Sequence, residues 1–196
     1  MNLPNKLSLL RIFLVPVFVA AYFLSWEYSR LVASAIFVVA TLTDFLDGYI
    51  ARKNNLVTDL GKLLDPIADK LLVTSALFCV VSQADEKYVV TLAVCSTIIV
   101  GRELLISAIR QIGASKGVVI AANVFGKVKT ILQDVALPLV VALQCPAFVN
   151  LLGTGWPYYT ISYATAAIFA LATAMTIVSG VIYVVQNKKV FGGDVK

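Results

Sequence analysis

Along most of the chain, apolar residues run for about twenty positions before a polar cluster interrupts them. The interruptions are "SWEYS" at 25–29, "RKNNLVTD" at 52–59, "SQADEK" at 82–87, "IGASKG" at 112–117 and "LLGTGWP" at 151–157. Each is built from turn-forming or charged residues. They cut out six spans, at about 6–25, 30–52, 62–83, 87–110, 119–144 and 157–187. Each span is near or above the ~20 residues that a helix needs to cross the hydrocarbon of a bilayer. The pattern predicts an all-α integral membrane protein with six transmembrane helices. It forms a single membrane domain over 1–196, with residues 1–6 as a short interfacial segment. No internal repeat or low-complexity segment is found, and the loops are too short for a second domain. No small-residue cleavage site follows the first span, so it reads as a retained helix and not a signal peptide.

Composition strengthens this picture. Of 196 residues, 60% are hydrophobic and 14% charged, and the mean hydropathy is +0.89. A soluble domain of this length could not hide that much apolar surface. An even number of spans puts both termini on one side. That side, with the second and fourth loops, holds Lys6, Arg11, Arg52, Lys53, Lys62, Arg110, Lys116, Lys127, Lys129, Lys188, Lys189 and Lys196. The other side holds Arg30 and Lys87, while Lys70 and Arg102 fall within spans. This bias predicts a multi-pass protein of the cell membrane with both termini cytoplasmic. Trp26, Tyr28, Trp156, Tyr158 and Tyr159 gather at the outer ends, as an interfacial aromatic belt does. The net charge of +5 is accounted for by topology and attraction to anionic membrane lipid, and nucleic acid is a poor fit as a partner.

The polar residues that break the apolar pattern carry the chemistry. Of the 11 acidic residues, Asp44, Asp47, Asp59, Asp65 and Asp69 fall within 44–70. There is no histidine, so acid–base or metal chemistry must rest on carboxylates, whose oxygens suit hard cations such as magnesium, manganese or calcium. Cys79, Cys95 and Cys145 sit in apolar runs without paired spacing, which excludes a disulfide framework or a zinc site. At about 1.5 Å per residue, Asp44 lies about 21 Å from the outer edge of its span and Asp69 about 24 Å from that of its own. Arg11, Arg102 and Lys129 come to a similar depth. The expectation is a polar cavity in the cytoplasmic third of the bilayer, open to lipid from the side.

Helical phase brings the same residues together. Asp44, Asp47, Gly48 and Ala51 share one face, with Arg52 beside it; Gly61, Asp65 and Asp69 share a face of the next span. Two carboxylate pairs on neighbouring antiparallel helices can then point at each other. Asp59, with Thr58, suits a helix cap instead. Four like charges in a partly desolvated site repel strongly, and two divalent cations would bring their sum to zero. Arg102, Ile106 and Arg110 share a face, so both arginines can line one groove. Lys127 and Lys129 are about 200° apart around a helix, so one of them faces it. A cation transporter with an acidic relay is the alternative from another class. Such sites usually lie near the midplane, often with inverted repeats, and neither feature is found here.

The spacing Asp44-x2-Asp47-Gly48-x2-Ala51-Arg52-x8-Gly61-x3-Asp65-x3-Asp69 resembles the signature of the CDP-alcohol phosphotransferase family, with every fixed position present. "NLPNKLSLLRI" at the start, "GRELLISAIR" at 101–110 and "GKVKT" at 126–130 resemble one branch of it, the phosphatidylglycerophosphate synthases. The resemblance implies transfer of a phosphatidyl group from CDP-diacylglycerol to sn-glycerol 3-phosphate, with inositol phosphate as the rival acceptor. It implies two magnesium or manganese ions held by Asp44, Asp47, Asp65 and Asp69, with Asp69 also the general base. CDP-diacylglycerol would be bound by Asp44, Asp47, Gly48, Ala51, Arg52, Thr58, Gly61 and Asp65. Arg102, Arg110, Lys127 and Lys129 are the candidates for the acceptor's phosphate. Asn5, Lys6 and Arg11 are weaker candidates on an amino-terminal segment that closes over the donor or anchors to lipid. The resemblance also implies a homodimer.

Overall fold

The computed structural model describes residues 3–53, 59–117, 124–153 and 155–188; for 3–5, 46–53, 59–63 and 65 it describes the backbone alone. Seven helices are found among the described residues: α1 (Leu3–Phe23), α2 (Ser29–Lys53), α3 (Asp59–Ser82), α4 (Glu86–Ser115), α5 (Val124–Leu143), α6 (Pro146–Leu152) and α7 (Trp156–Gln186). Six of these helices cover the six apolar stretches marked out in the sequence. Lys6–Phe23, Glu86–Ser115 and Trp156–Gln186 are long and apolar enough to cross a membrane, and α5 with α6, bent by 90°, makes a fourth such unit.

Two boundaries differ from expectation. α4 continues past 110 to Ser115 and stops where Gly117 takes a left-handed φ of 72°, with the Lys116 N–H closing back on Ile112 and Gly113. Between the fifth and sixth spans, where a plain loop was expected, Pro146 opens the short α6, and Gly153 at φ 70° ends it. At the amino terminus α1 is helical without a break from Leu3.

The helices are joined by small and aliphatic residues. Ala33, Ala40, Ala68, Ala76, Ala136 and Ala172 are fully buried, which lets backbones approach closely where there is no hydrophobic effect to drive helices together. Phe18, Phe37, Leu77, Ile99 and Leu137 fill the space between them. Large apolar residues such as Phe13, Val39, Phe45, Phe78, Val90, Leu104 and Val181 face outward. A soluble protein rarely exposes so much, and here it forms the face offered to lipid. Trp26 and Trp156 are exposed near helix ends, and Trp26 packs on Tyr28.

α1 packs on both α2 and α3; α5 packs on α7, α2 and α3; α4 packs on α7 and α3. A polar lock ties the pole opposite the aspartates. Tyr22 Oη donates to Gln144 Oε1 at 2.5 Å, and Gln144 Nε2 donates to the Val80 carbonyl at 3.0 Å. Arg30 donates to the Gln144 carbonyl and, at 2.9 Å, to Gln83 Oε1, while its guanidinium lies 5.6 Å from the Tyr22 ring centroid. One glutamine thus joins α1, α2 and α3 at the end of α5. Gln144→Leu should lower the midpoint of thermal unfolding in detergent, because it leaves the buried Tyr22 hydroxyl unpaired, at a cost of about 1–3 kcal/mol. The Michaelis constants of the distant site should stay unchanged.

Candidate active site

The Asp44 and Asp69 ends of α2 and α3 lie at the pole away from that lock. Both positions are helical and partly accessible. Arg11 of α1 is buried and holds the Asp44 carboxylate at 2.5 Å. An arginine inside an apolar span requires such a partner, which explains its place in the first helix. Asp69 lies close enough to Asp44, Glu103 and Asp134 to feel their charge. It forms no ion pair among the described residues. Of the other motif residues, Thr58 lies outside the described residues, as do the side chains of Asp47, Ala51, Arg52 and Asp65 and the surroundings of Gly48 and Gly61. Thr58 and Asp59 as a cap, and the side chain of Asn5, fall outside them too.

A cleft opens beside Asp69. It is lined by Asp69, Lys70, Val73 and Thr74 of α3, Ile99, Val100 and Glu103 of α4, and Lys129, Thr130 and Gln133 of α5. Three helices therefore meet where the sequence places its deepest charges. The helical phase of α5 settles which lysine of "GKVKT" faces inward. Lys129 is 2% exposed and lines the cleft, while Lys127 is exposed on the surface.

Glu103 organises the cations here. Its Oε1 accepts from Lys129 Nζ at 2.7 Å and from Arg102 Nη1 at 3.0 Å. Arg102 also donates to Ser179 Oγ of α7 at 3.1 Å. Glycines make room for it on two sides: a Cβ at Gly126 would come within 3.1 Å of Arg102 Nη2, and one at Gly180 within 3.2 Å of Arg102 Cγ. Eight residues along α4, Arg110 turns to the same neighbour and donates from Nε to Tyr183 Oη at 3.2 Å. Arg102 and Arg110 do share a face, as expected, and α7 orients both. Arg110 is otherwise exposed, which leaves its outer nitrogens available.

Three polar residues near Asp69 escaped the sequence reading. Lys70 was noted merely as a charge within a span, but it lines the cleft. Gln133 is buried there, and Asp134 follows it on α5, near enough to Asp69 to feel its charge. A signal existed for Gln133: it follows Lys129 by four residues and so shares its face. The donor chemistry suits a hard divalent cation. The site's side chains offer oxygen ligands, and the negative charge of Asp69 and Asp134 has no cation within 4 Å among the described residues. Among those residues no three acidic side chains form a metal-binding group; the two further aspartates of the motif lie outside that description.

The sequence model of the CDP-alcohol phosphatidyltransferase family matches residues 1–185. The chain belongs to this family. Among its relatives, a protein of Rickettsia bellii is 36% identical over 191 residues, covering 97% of each chain. One of Bacillus subtilis is 36% identical over 198 residues, covering 95% of each. Both carry the name CDP-diacylglycerol–glycerol-3-phosphate 3-phosphatidyltransferase. A similarly named protein of Arabidopsis thaliana is 37% identical over 163 residues, 79% of this chain and 70% of that one. The family match spans α1 to nearly the end of α7, so it covers every element that builds the cleft.

The Glu103 network makes a separable prediction. Glu103→Gln leaves Lys129 buried without its counter-charge and should destabilise the protein by about 3–5 kcal/mol. Adding Lys129→Met should recover much of that loss. A double-mutant cycle on thermal or denaturant unfolding in detergent measures the coupling.

Proposed function

We propose that this chain transfers the phosphatidyl group of CDP-diacylglycerol to sn-glycerol 3-phosphate, giving phosphatidylglycerophosphate and CMP. One observation carries this reading. The full aspartate pattern stands at the cleft end of α2 and α3, in a chain that matches, along nearly its whole length, relatives named for that activity. The protein is read as spanning the cell membrane six times, with α5 and α6 as one bent span. The excess of lysine and arginine at the cleft pole supports placing both termini and the site on the cytoplasmic side. Assembly as a homodimer is expected from the family.

In this reading the lipid donor reaches the site sideways from the bilayer. Its nucleotide head and the water-soluble acceptor meet at the cleft. Asp44, Asp47, Asp65 and Asp69 would hold two magnesium or manganese ions. When bound, these supply charge neutralisation for the diphosphate and for CMP as it leaves. Gly48, Ala51 and Gly61 leave room for the nucleotide against the helices, and Arg52 and Thr58 offer polar contacts to it. Asp69 takes the proton from the 1-hydroxyl of the acceptor. The freed oxygen forms a bond to the phosphorus that carries diacylglycerol. The bond from that phosphorus to the CMP oxygen breaks, and its electron pair departs with CMP.

The acceptor brings a second phosphate, which requires cations held apart from the aspartates. Arg110 and Lys127 are exposed and able to contact it; Lys129 and Arg102, tied to Glu103, set the positive field behind it. Arg110 is held by Tyr183, which presents a planar fork suited to a phosphate.

The test is CMP release by purified protein in detergent, supplied with CDP-diacylglycerol and magnesium or manganese. Release should require glycerol 3-phosphate, cease with chelator and return with either metal. Asp69→Asn should lower turnover by about 10²-fold or more while sparing donor binding. Release driven by inositol phosphate alone would replace the acceptor. Metal uptake into liposomes without CMP release would replace the enzyme with a transporter. In the same assay, Arg110→Ala should raise the Michaelis constant for glycerol 3-phosphate about tenfold or more and leave that for the donor near its original value.

A further inference from the structure

Gln133 has no task in the reaction as described. It lies one turn beyond Lys129 on the same face of α5, is 2% exposed, and lines the cleft with Asp69, Thr74, Glu103 and Thr130. Its Oε1 is buried and finds no hydrogen-bond donor among the described residues. An amide oxygen can only accept, and leaving it unpaired in an apolar span is costly. The nearby candidate donor, Lys129, is turned onto Glu103 at 2.7 Å. What completes this oxygen must therefore bring its own hydrogen. The missing partner is a hydrogen-bond donor that enters the cleft Gln133 shares with Asp69.

We propose that Gln133 determines acceptor specificity by accepting a hydrogen bond from the secondary 2-hydroxyl of the acceptor, while Asp69 meets the adjacent 1-hydroxyl. The proposal rests on the reading that sn-glycerol 3-phosphate is the acceptor. Its two hydroxyls sit on neighbouring carbons, and Asp69 of α3 and Gln133 of α5 line one cleft. A site built to pair a substrate hydroxyl discriminates strongly against an analogue without it, because its own polar group is then left buried and unpaired.

The test compares sn-glycerol 3-phosphate with 3-hydroxypropyl phosphate, which keeps the reacting hydroxyl and the phosphate but lacks the 2-hydroxyl. CMP release with CDP-diacylglycerol gives kcat/KM for each. The unaltered protein should prefer glycerol 3-phosphate by at least about tenfold. Gln133→Leu, similar in volume but without the oxygen, should bring the ratio close to one. It should do so by lowering the value for glycerol 3-phosphate and leaving that for the deoxy analogue nearly constant. Gln133→Asn, which withdraws the same oxygen by one methylene, should give an intermediate ratio and an independent reading. Equal use of both acceptors by the unaltered protein would overturn the proposal whatever the variants do. So would a ratio that survives in Gln133→Leu or Gln133→Asn, since the amide oxygen would then be satisfied by a trapped water. No CMP release by the unaltered protein with either acceptor would be a failure of the reaction itself, distinct from these.

Discussion

A charge placed among hydrocarbon tails must find its partner inside the protein, and that constraint orders this structure more than any other. Water is not present to solvate it, and an unpaired ion at that depth is costly. The chain nevertheless places Arg11, Asp44, Asp69, Arg102, Glu103, Lys129 and Asp134 on five helices. Pairing resolves part of this set. Arg11 neutralises Asp44 across α1 and α2, and Glu103 takes both Lys129 and Arg102, which brings α4, α5 and α7 to one point. Asp69 and Asp134 remain without a cation within 4 Å among the described residues. These two carboxylates, not paired with a cation, are the ones that bound divalent cations would neutralise, for the fold as well as for the reaction.

The two poles of the bundle answer the same constraint with different chemistry. At the pole away from the aspartates the polar groups are mostly neutral and mutually satisfied: Tyr22, Gln144, Gln83 and two backbone carbonyls, with the single charge of Arg30 absorbed among them. Such a cluster fixes the order of four helices without leaving a site. At the aspartate pole, glycines replace bulk. Gly126 and Gly180 bring backbone against Arg102, and α7 supplies Ser179 and Tyr183 as hydroxyl guides for two arginines. α7 carries no charge from Trp156 to Gln186, yet it positions the guanidinium groups of its neighbour.

The sequence made the expensive features visible. Aspartates at fixed helical spacing inside apolar spans admit few structural explanations, so Asp44 and Asp69 could be placed at a shared depth from the residue rise alone. The spans followed from polar interruptions that a bilayer would expel. What escaped was set by contacts between distant segments. Nothing in "GRELL" says that Arg102 will lie against Gly180, because that depends on how α7 returns across α4. "PAFVNLL" carries no helix-period pattern long enough to separate a turn of helix from a loop, and its 90° angle to α5 is fixed by packing. Gln133 and Asp134 were passed over because one amide and one carboxylate within a single span form no motif. They acquire meaning when α3 and α5 place them beside Asp69.

This division of visible and invisible features bears on how one scaffold tells acceptors apart. The aspartates address what CDP-linked donors have in common, a diphosphate and a nucleotide, so their spacing identifies the family and says little about the acceptor. Discrimination must come from elsewhere: α4 and α5 supply Glu103, Lys129 and Gln133 to the opposite wall of the cleft, and Arg110, held by Tyr183 of α7, lies further along α4. On that wall the charges are partly spent on one another. Lys129 is buried against Glu103, so a phosphate that drew on it would compete with a carboxylate already in place. An exposed arginine anchored by a tyrosine has no such competitor. In the proposed reaction the buried pair therefore sets the local potential, the exposed arginine meets the phosphate, and the neutral amide reads the hydroxyl.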